Sequence, residues 1–315
     1  MKAHATEVLV VGSLNMDLTA FAPRLPLPGE TLMGTGWATA NGGKGGNQAV
    51  AAARLGARVA MIGRVGRDAH GEALRAALIA EGIECDAINT DPLHPTGVAL
   101  ITVDSRSQNT IVVIAGSNAE LSSADIDAQR ELFAAATIVL FQLETPLPSV
   151  RRGIELAAEH GKFVILNPAP APEGAILDEE MLTGVTLLVP NETEAAQLSQ
   201  LPVTSVEEAI LAAQELRTRG CREVIVTLGA LGVVHVGRSE PRHYPAQATQ
   251  ALDTTAAGDT FIGGLAASLA RGDDLTQAIY FGQLAASLSV SRSGAQTSIP
   301  TLAEVSELRR RLARG

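Results

Sequence analysis

The chain has 315 residues, 46% hydrophobic and 18% charged, a balance that supports a large folded core and excludes a disordered chain. Its formal charge is −10 and its one basic block is Arg309-Arg310-Arg311, so nucleic-acid binding, which needs clustered Lys and Arg, is not expected. Aromatic residues make up only 3%, so the core must be built from Ala, Val, Leu and Ile.

Met1 to Glu7 is polar and lacks the apolar region of a signal peptide. Val8 to Gly12 is an apolar run ending in glycine, the pattern of a buried parallel strand. Asn15 and Asp17 follow it, alternating with apolar residues, so both can project from one face of a strand. They read either as ligands at a strand end or as ordinary loop polarity. Pro23 to Gly36 is rich in Pro and Gly and turns the chain.

Asn41-Gly42-Gly43-Lys44-Gly45-Gly46-Asn47-Gln48 then leads into a strong helix former, Ala49 to Leu55. A glycine-rich turn before a helix offers bare backbone N–H groups to an anion. It is not a Walker A loop, because Gly45 stands where Ser or Thr is required. Lys44 reads as a surface lysine or as part of a site.

Arg58 to Gly63 predicts a strand and Asp68 to Glu81 a helix. Gly97 to Val103 and Thr110 to Ile114 predict a hairpin above the main sheet. Insertions at about residues 14–40 and 97–116 would together form a small β lid. Ser122 or Ser123 caps a predicted helix to about Ala135. Three predicted strands follow, each ending in polar residues: Ile138 to Phe141 before Glu144, Phe163 to Leu166 before Asn167, and Thr186 to Val189 before Asn191 and Glu194. Pro146 to His160 and Ser205 to Arg219 predict helices, and Val224 to Leu228 and Val233 to Val236 strands around Gly229 to Gly232.

Asp259 to Arg271, Leu275 to Ser291 and Thr301 to Leu312 are the last predicted helices. Before the first of them, Leu252 to Gly264 reads L-D-T-T-A-A-G-D-T-F-I-G-G. Small residues at a helix start leave its N–H groups free for an anion such as phosphate. Asp259 reads there either as the helix cap or as a base for a hydroxyl that attacks phosphorus.

Strand, helix, strand recurs throughout, which predicts an α/β fold with a mostly parallel sheet and ligands at the strand C-terminal ends. Cys85 and Cys221 have no CxxC spacing and the six histidines no HxxxH pair, so no disulfide framework or thiolate or imidazole metal site is expected. The two thiols read as inert. No stretch reaches the apolar length of a membrane span, and a cytoplasmic chain is expected.

The runs G-S-L-N-M-D (12–17), G-G-K-G-G-N-Q-A-V-A-A-A (42–53), L-N-P-A-P-A (166–171), P-N-E-T-E-A (190–195) and D-T-T-A-A-G-D-T-F (253–261) resemble the ribokinase-like sugar kinases, the PfkB family, from about Val8 to Pro300. The resemblance implies one three-layer α/β domain over residues 1–315 with a β-sheet lid, and ATP-dependent phosphorylation of a sugar, D-ribose at its 5-hydroxyl. Asp259 falls on the family's general base, and Ala256, Ala257 and Gly258 on its anion hole. Asn15, Asp17, Gly43, Lys44, Asn47 and Glu144 fall on sugar-holding positions. Asn191 and Glu194 match a motif linked to magnesium and phosphate. Thr227, Gly229 and Gly232 match the nucleotide loop, and Gln283 stands near the expected adenine site. Asp253, Thr255, Ser289, Arg292, Gly294 and Ser298 match a potassium loop that works mostly through backbone carbonyls. Gly46, which stands where the family usually has alanine and should loosen that turn, Asn41 and Gln283 depart from its pattern. The resemblance also implies a homodimer. The rival readings are a kinase of deoxyribose, another pentose or a nucleoside, and a non-catalytic sugar- or nucleotide-binding regulator.

Overall fold

The computed structural model describes residues 6–106, 108–171 and 177–314. Most of the polar run Met1 to Glu7, and Ser107 in the turn of the predicted hairpin, lie outside the described residues. The first strand, β1 (Val8–Val11), explains the layering. It is apolar at every position and fully buried. Its side chains alternate, Val8 and Val10 entering one apolar cluster, Leu9 and Val11 another. A strand buried on both faces needs helices on both sides of its sheet.

β2 (Asn15–Phe21) and β3 (Gly36–Gly42) follow, then α1 (Lys44–Arg54), β4 (Val59–Gly66), α2 (Ala69–Ala80), β5 (Ile88–Asp91), β6 (Gly97–Val103) and β7 (Asn109–Ile114). The chain continues through α3 (Ser123–Asp127), α4 (Arg130–Ala135), β8 (Ile138–Phe141), α5 (Leu147–Glu159), β9 (Phe163–Leu166), α6 (Glu179–Thr183), β10 (Leu187–Leu188), α7 (Glu192–Ser199) and α8 (Val206–Thr218). It closes with β11 (Glu223–Thr227), β12 (Val233–Val236), β13 (Arg242–Tyr244), α9 (Ala257–Ala270), α10 (Leu275–Ser289) and α11 (Leu302–Leu312).

Among the described residues nine strands form one sheet in the order β13-β12-β11-β10-β9-β8-β1-β4-β5. Every pair from β11 to β5 is parallel, and only β12 and β13 run antiparallel at one edge. Helices α1, α2, α9, α10 and α11 bury residues in the Val8/Val10 cluster, and α3 to α8 in the Leu9/Val11 cluster. The result is the expected three-layer α/β fold.

The Val8/Val10 side is packed through small residues. A Cβ added at Gly263 of α9 would lie 2.4 Å from the Ala51 Cβ of α1 and 2.8 Å from the Gln48 carbonyl. At Gly264 it would lie 3.3 Å from the Gly282 Cα of α10. Three helices approach this closely only where side chains are nearly absent.

A separate four-stranded sheet, β3-β2-β6-β7, forms the lid. Strand β2 pairs parallel with β6 and antiparallel with β3. The chain passes from the central β1 into this sheet through Gly12-Ser13-Leu14 alone. The first lid segment runs two residues past its expected limit, to Gly42, because Asn41 and Gly42 pair with Met16 and Asn15.

The structure departs from expectation elsewhere. The helix expected from Ser122 to Ala135 is two, because Gln129 leaves helical backbone at φ −108°, ψ 22°. Both pieces still bury an anchor, Ile126 and Phe133, in one core. The strand expected over Thr186 to Val189 pairs only through Leu187 and Leu188. No helix among the described residues is long and apolar enough to cross a membrane.

Candidate active site

The glycine-rich run was expected to end in bare N–H groups, and it does not. Helix α1 starts at Lys44, five residues earlier than Ala49, and its N-cap is Gly43 at φ 83°. Its first donors are taken by the chain itself. Lys44 N donates to Glu144 Oε2 at 3.1 Å, Gly45 N to Ser13 Oγ at 3.4 Å and Gly46 N to the Ser13 carbonyl at 3.0 Å. Ser13 Oγ in turn donates to Glu144 Oε2. The Glu144 carboxylate thus sits at the positive end of α1, where a helix favours negative charge.

The glycines here serve close approach. A Cβ at Gly45 would lie 2.6 Å from Ser13 N, and one at Gly43 2.7 Å from Asn15 N. At Gly42 it would lie 2.5 Å from both Asp17 carboxylate oxygens. Gly46, which was expected to loosen a turn, is buried inside the first turn of α1.

The other small-residue start behaves as expected. The N-cap of α9 is Ala256, in the left-handed region at φ 57°, and it makes no side-chain cap. This sets aside the helix-cap reading of Asp259, which is the third helical residue. Ala257 N donates to the Thr254 carbonyl and Thr260 N to the Ala256 carbonyl. Among the described residues nothing accepts the N–H of Gly258 or Asp259. A Cβ added at Gly258 would meet no atom within 4 Å. A helix N-terminus with free donors, facing open space, suits an anion.

Asp259 itself is turned onto α1. Asn47 Nδ2 donates to its Oδ2 and Gln48 Nε2 to its Oδ1, each at 3.0 Å. Burial raises its proton affinity, and the Lys44 charge with the two amide donors only partly offsets this; the net direction is upward. Asp17 is pushed up to about 6, first by burial and then by the charges of Glu144 and Asp259. Lys44 goes up as well: burial opposes its charge, but Asp259, Glu144 and Glu194 together outweigh burial. The structure therefore gathers Asp17, Lys44, Asn47, Glu144, Glu194 and Asp259 into one electrostatic neighbourhood.

Asn15 is buried beside them, and its Oδ1 accepts from Asn118 Nδ2 at 2.8 Å. Asn118 also clamps both backbone groups of Leu14. With Asn15 Oδ1 occupied, its Nδ2 is left as a donor. Asn118, Ser13 and Gln48 are parts of the site that motif reading missed. Each acts through a partner far away in sequence; Ser13 and Gln48 lie inside quoted motifs, as neighbours of the residues singled out there, and Asn118 carried no signal.

Asn191 and Glu194 form a capping box at the start of α7, the Glu194 oxygens accepting from Asn191 N and Nδ2. Glu194 is buried, and burial raises its proton affinity against the pull of Asn191 and Lys44. Among the described residues no three His, Cys, Asp or Glu side chains form a metal site. This donor set fits a magnesium ion carried in on phosphates and water, with Glu194 nearby, rather than one caged by protein.

Thr227 ends β11 beside Asn191, its N donating to the Pro190 carbonyl. Gly229 and Gly232 flank the following turn at φ 50° and φ 98°. A Cβ at Gly232 would lie 2.1 Å from the Tyr244 carbonyl. Gln283, expected near adenine, spends its amide nitrogen on the Tyr244 and Pro245 carbonyls. It thereby ties α10 to the segment that Gly232 abuts.

The two halves of the expected potassium loop also meet. Asp253 Oδ2 accepts from Gly294 N, its Oδ1 from Thr255 N, and its own N donates to the Val290 carbonyl. Burial opposes ionisation of Asp253, yet its bonds with Thr255 and Gly294 hold it below the usual carboxylate range. Ser289 and Ser298 hydroxyls bond each other. The Arg292 guanidinium pairs with Glu304, so only its carbonyl is left to serve a cation.

The chain is similar in sequence and fold to known proteins. The model of the pfkB family of carbohydrate kinases matches residues 5–302. A ribokinase of Haemophilus influenzae is 43% identical over 298 residues, 95% of this chain and 96% of its own. A deoxyribokinase of Salmonella typhi is 36% identical over 301 residues, 96% of this chain and 98% of its own. The structure of Arabidopsis thaliana ribokinase complexed with ribose and ATP matches with a TM-score of 0.90 at 32% identity, over 96% of this chain and 98% of that one.

The crowding of carboxylates can be measured at Asp17. Its carboxyl should titrate near pH 6 by NMR, against an ordinary value of 3.8. Between those values the unfolded chain has released the proton and the native chain still holds it, so native stability falls as pH rises through the window. Asp17→Asn cannot ionise and should escape that fall. Its urea midpoint relative to the native chain should rise between about pH 4 and about pH 6 and level off above. A constant difference across that window would show that Asp17 is not crowded.

Proposed function

The chain belongs to the pfkB family of carbohydrate kinases, and we propose that it transfers the γ-phosphoryl group of ATP to the 5-hydroxyl of D-ribose. One observation supports this most: the buried Asp259 carboxylate, held by two neutral amides, lies in the same helical turn as the open Gly258 N–H. A base and an anion cradle one residue apart are what an attacking hydroxyl and a transferring phosphoryl group need. The ribokinases among its relatives support ribose as acceptor.

In this reading Asn15 Nδ2, Asp17, the free Asn47 Oδ1 and Glu144 hold the sugar hydroxyls. Asn47 Oδ1 is buried without a protein partner, so an unfilled site leaves it unsatisfied. Asp259 takes the proton of the attacking hydroxyl. That oxygen forms the new bond to phosphorus as the bond to the ADP oxygen breaks, and the free Gly258 and Asp259 amides stabilise the charge on the moving group, Ala257 having spent its N–H on Thr254. Asn191, Glu194, the Thr227 to Gly232 loop and Gln283 are the nucleotide side, while Gly43 and Lys44 stand with the sugar-holding group. Magnesium, bound with ATP near Glu194, would neutralise phosphate charge. The loop joining Asp253, Thr255 and Gly294 to Ser289, Arg292 and Ser298 would hold potassium through carbonyls and fix the start of α9.

The second-ranked reading, a deoxyribose kinase, is favoured by the deoxyribokinase relatives from Salmonella. Asn15 and Asp17 side by side favour the acceptor richer in hydroxyls. A sugar panel assayed with and without potassium separates the two. D-ribose should give the highest kcat/KM, and potassium should raise the rate; a preference for 2-deoxyribose would overturn the substrate assignment. Asp259→Asn should lower kcat by about 10²–10⁴-fold with nucleotide binding retained. A near-native rate would remove Asp259 as base and leave the mechanism without one.

Gly258→Ala separates folding from chemistry. The added methyl meets no protein atom within 4 Å, and alanine suits a helix better than glycine by about 0.5–1 kcal/mol. The variant should melt no lower than the native chain while losing about 10²-fold or more in kcat. Loss of stability, or full activity, would contradict the cradle.

The reading also includes a homodimer in the cytoplasm. One face of the lid supports the dimer: Trp37 is 76% and Val112 60% exposed, and the strand register puts exposed Ile114 on the same side. Val112→Lys should shift the sedimentation coefficient from dimer to monomer; a native chain that is monomeric at micromolar concentration would refute the arrangement. Two buried free thiols fit a reducing compartment.

A further inference from the structure

We infer that Gln48 is a positioning residue for phosphoryl transfer, held by Gln142 and Asn167 so that its amide N–H2 sets the orientation of the Asp259 carboxylate. This rests on Asp259 as the base. Gln48 is fully buried, and nothing of it is left over for substrate. Its Oε1 accepts from Gln142 Nε2 at 2.6 Å. Its Nε2 donates to Asp259 Oδ1 at 3.0 Å and to Asn167 Oδ1 at 3.1 Å.

The direction of this chain is anchored by a group that cannot flip. Asn167 Nδ2 donates to the Val189 backbone carbonyl at 3.0 Å. A carbonyl only accepts, so Asn167 must present its oxygen to Gln48, and Gln48 must present its nitrogen to Asn167. The same nitrogen then faces Asp259, and the Gln48 oxygen faces Gln142. A reversed Gln48 would set its oxygen against a carboxylate and its NH2 against another NH2. Gln142 is packed over Gly12, where a Cβ would come within 2.0 Å of its Oε1; that oxygen is buried without a partner, so the amide direction of Gln142 follows that of Gln48. The ends of β8, β9 and β10 thus fix one carboxylate oxygen, and Asn47 holds the other.

Loss of the Gln48 donor removes a hydrogen bond to the charged form of Asp259, so its proton affinity rises. The charged groups facing Asp259, namely Lys44, Glu144, Asp17 and Glu194, stay in place. The change therefore reads out as a displaced acidic limb.

The test uses the full-length chain, ATP and the sugar that the native chain phosphorylates fastest. It compares native, Gln48→Met and Gln142→Met, each alone. Methionine keeps the length of glutamine and has no donor. For Gln48→Met the acidic limb of the kcat–pH profile should move up by about one pH unit, with kcat at neutral pH down about tenfold. KM for sugar and ATP should stay within about twofold. Gln142→Met, which does not touch Asp259, should move the limb in the same direction and less far, because it frees Gln48 to turn. If Gln48→Met does not fold, the Gln142→Met profile decides. An unmoved limb in folded variants, or a raised KM with the limb in place, would overturn the inference. Failure of the base assignment is separate, because Asp259→Asn would then keep its rate whatever the Gln48 result.

Discussion

The crossing of α1 over α9 is the constraint on which the site depends. Asn47 and Gln48 reach Asp259 across 212 and 211 positions of sequence. They do so because Gly263 and Ala51 let the helix backbones nearly touch. A bulkier pair would hold the helices apart, and neither amide would span the gap to the carboxylate. The scarcity of aromatics, which in the sequence only restricts what the core is made of, acquires a purpose here. The helix layer on the Val8/Val10 side is drawn largely from Ala, Gly, Val, Leu and Ile because the reacting groups need close backbones.

Two helix starts with the same sequence logic behave in opposite ways. At α1 the donors are quenched by Glu144 and Ser13, which arrive from the ends of β8 and β1. At α9 nothing among the described residues arrives, and the space before Gly258 stays open. Glycine and alanine before a helix permit an anion site; whether one exists is decided by what the neighbouring strand ends supply. In this carbohydrate kinase the start of α1 is closed, with Glu144 and Ser13 upon it, and the start of α9 is open and suited to an anion.

Much of the fold was legible because it follows from local pattern. Val8 to Val11 and Ile138 to Phe141 are unbroken apolar runs, and unbroken runs between helices mean buried parallel strands. The polar residues that end them were legible as a set, since Glu144, Asn167 and Asn191 share one rim of the sheet. The short edges were not. β5 reads I-N-T-D and β13 R-H-Y, and neither carries periodicity. The site was legible where residues sit inside motifs and opaque where they act at one remove. Asn118 orients Asn15, Ser13 bridges Glu144 to α1, and Gln48 faces Asp259. None of these contacts is local, so no spacing in the chain announces them.

The small sheet is joined to the large one by short links. Strand β2 hangs from β1 by three residues, and β3 passes into α1 at Gly43. Asn15 and Asp17 ride on the first of these strands, while Asp259 belongs to the rigid body beneath. The chain crosses between the sheets twice more, from β5 into β6 and out of β7, so four short links set how Asn15 and Asp17 stand relative to Asp259. Asp17 on the small sheet nevertheless lies near enough for the Asp259 charge to raise its proton affinity, so carboxyls carried by two different sheets share one field.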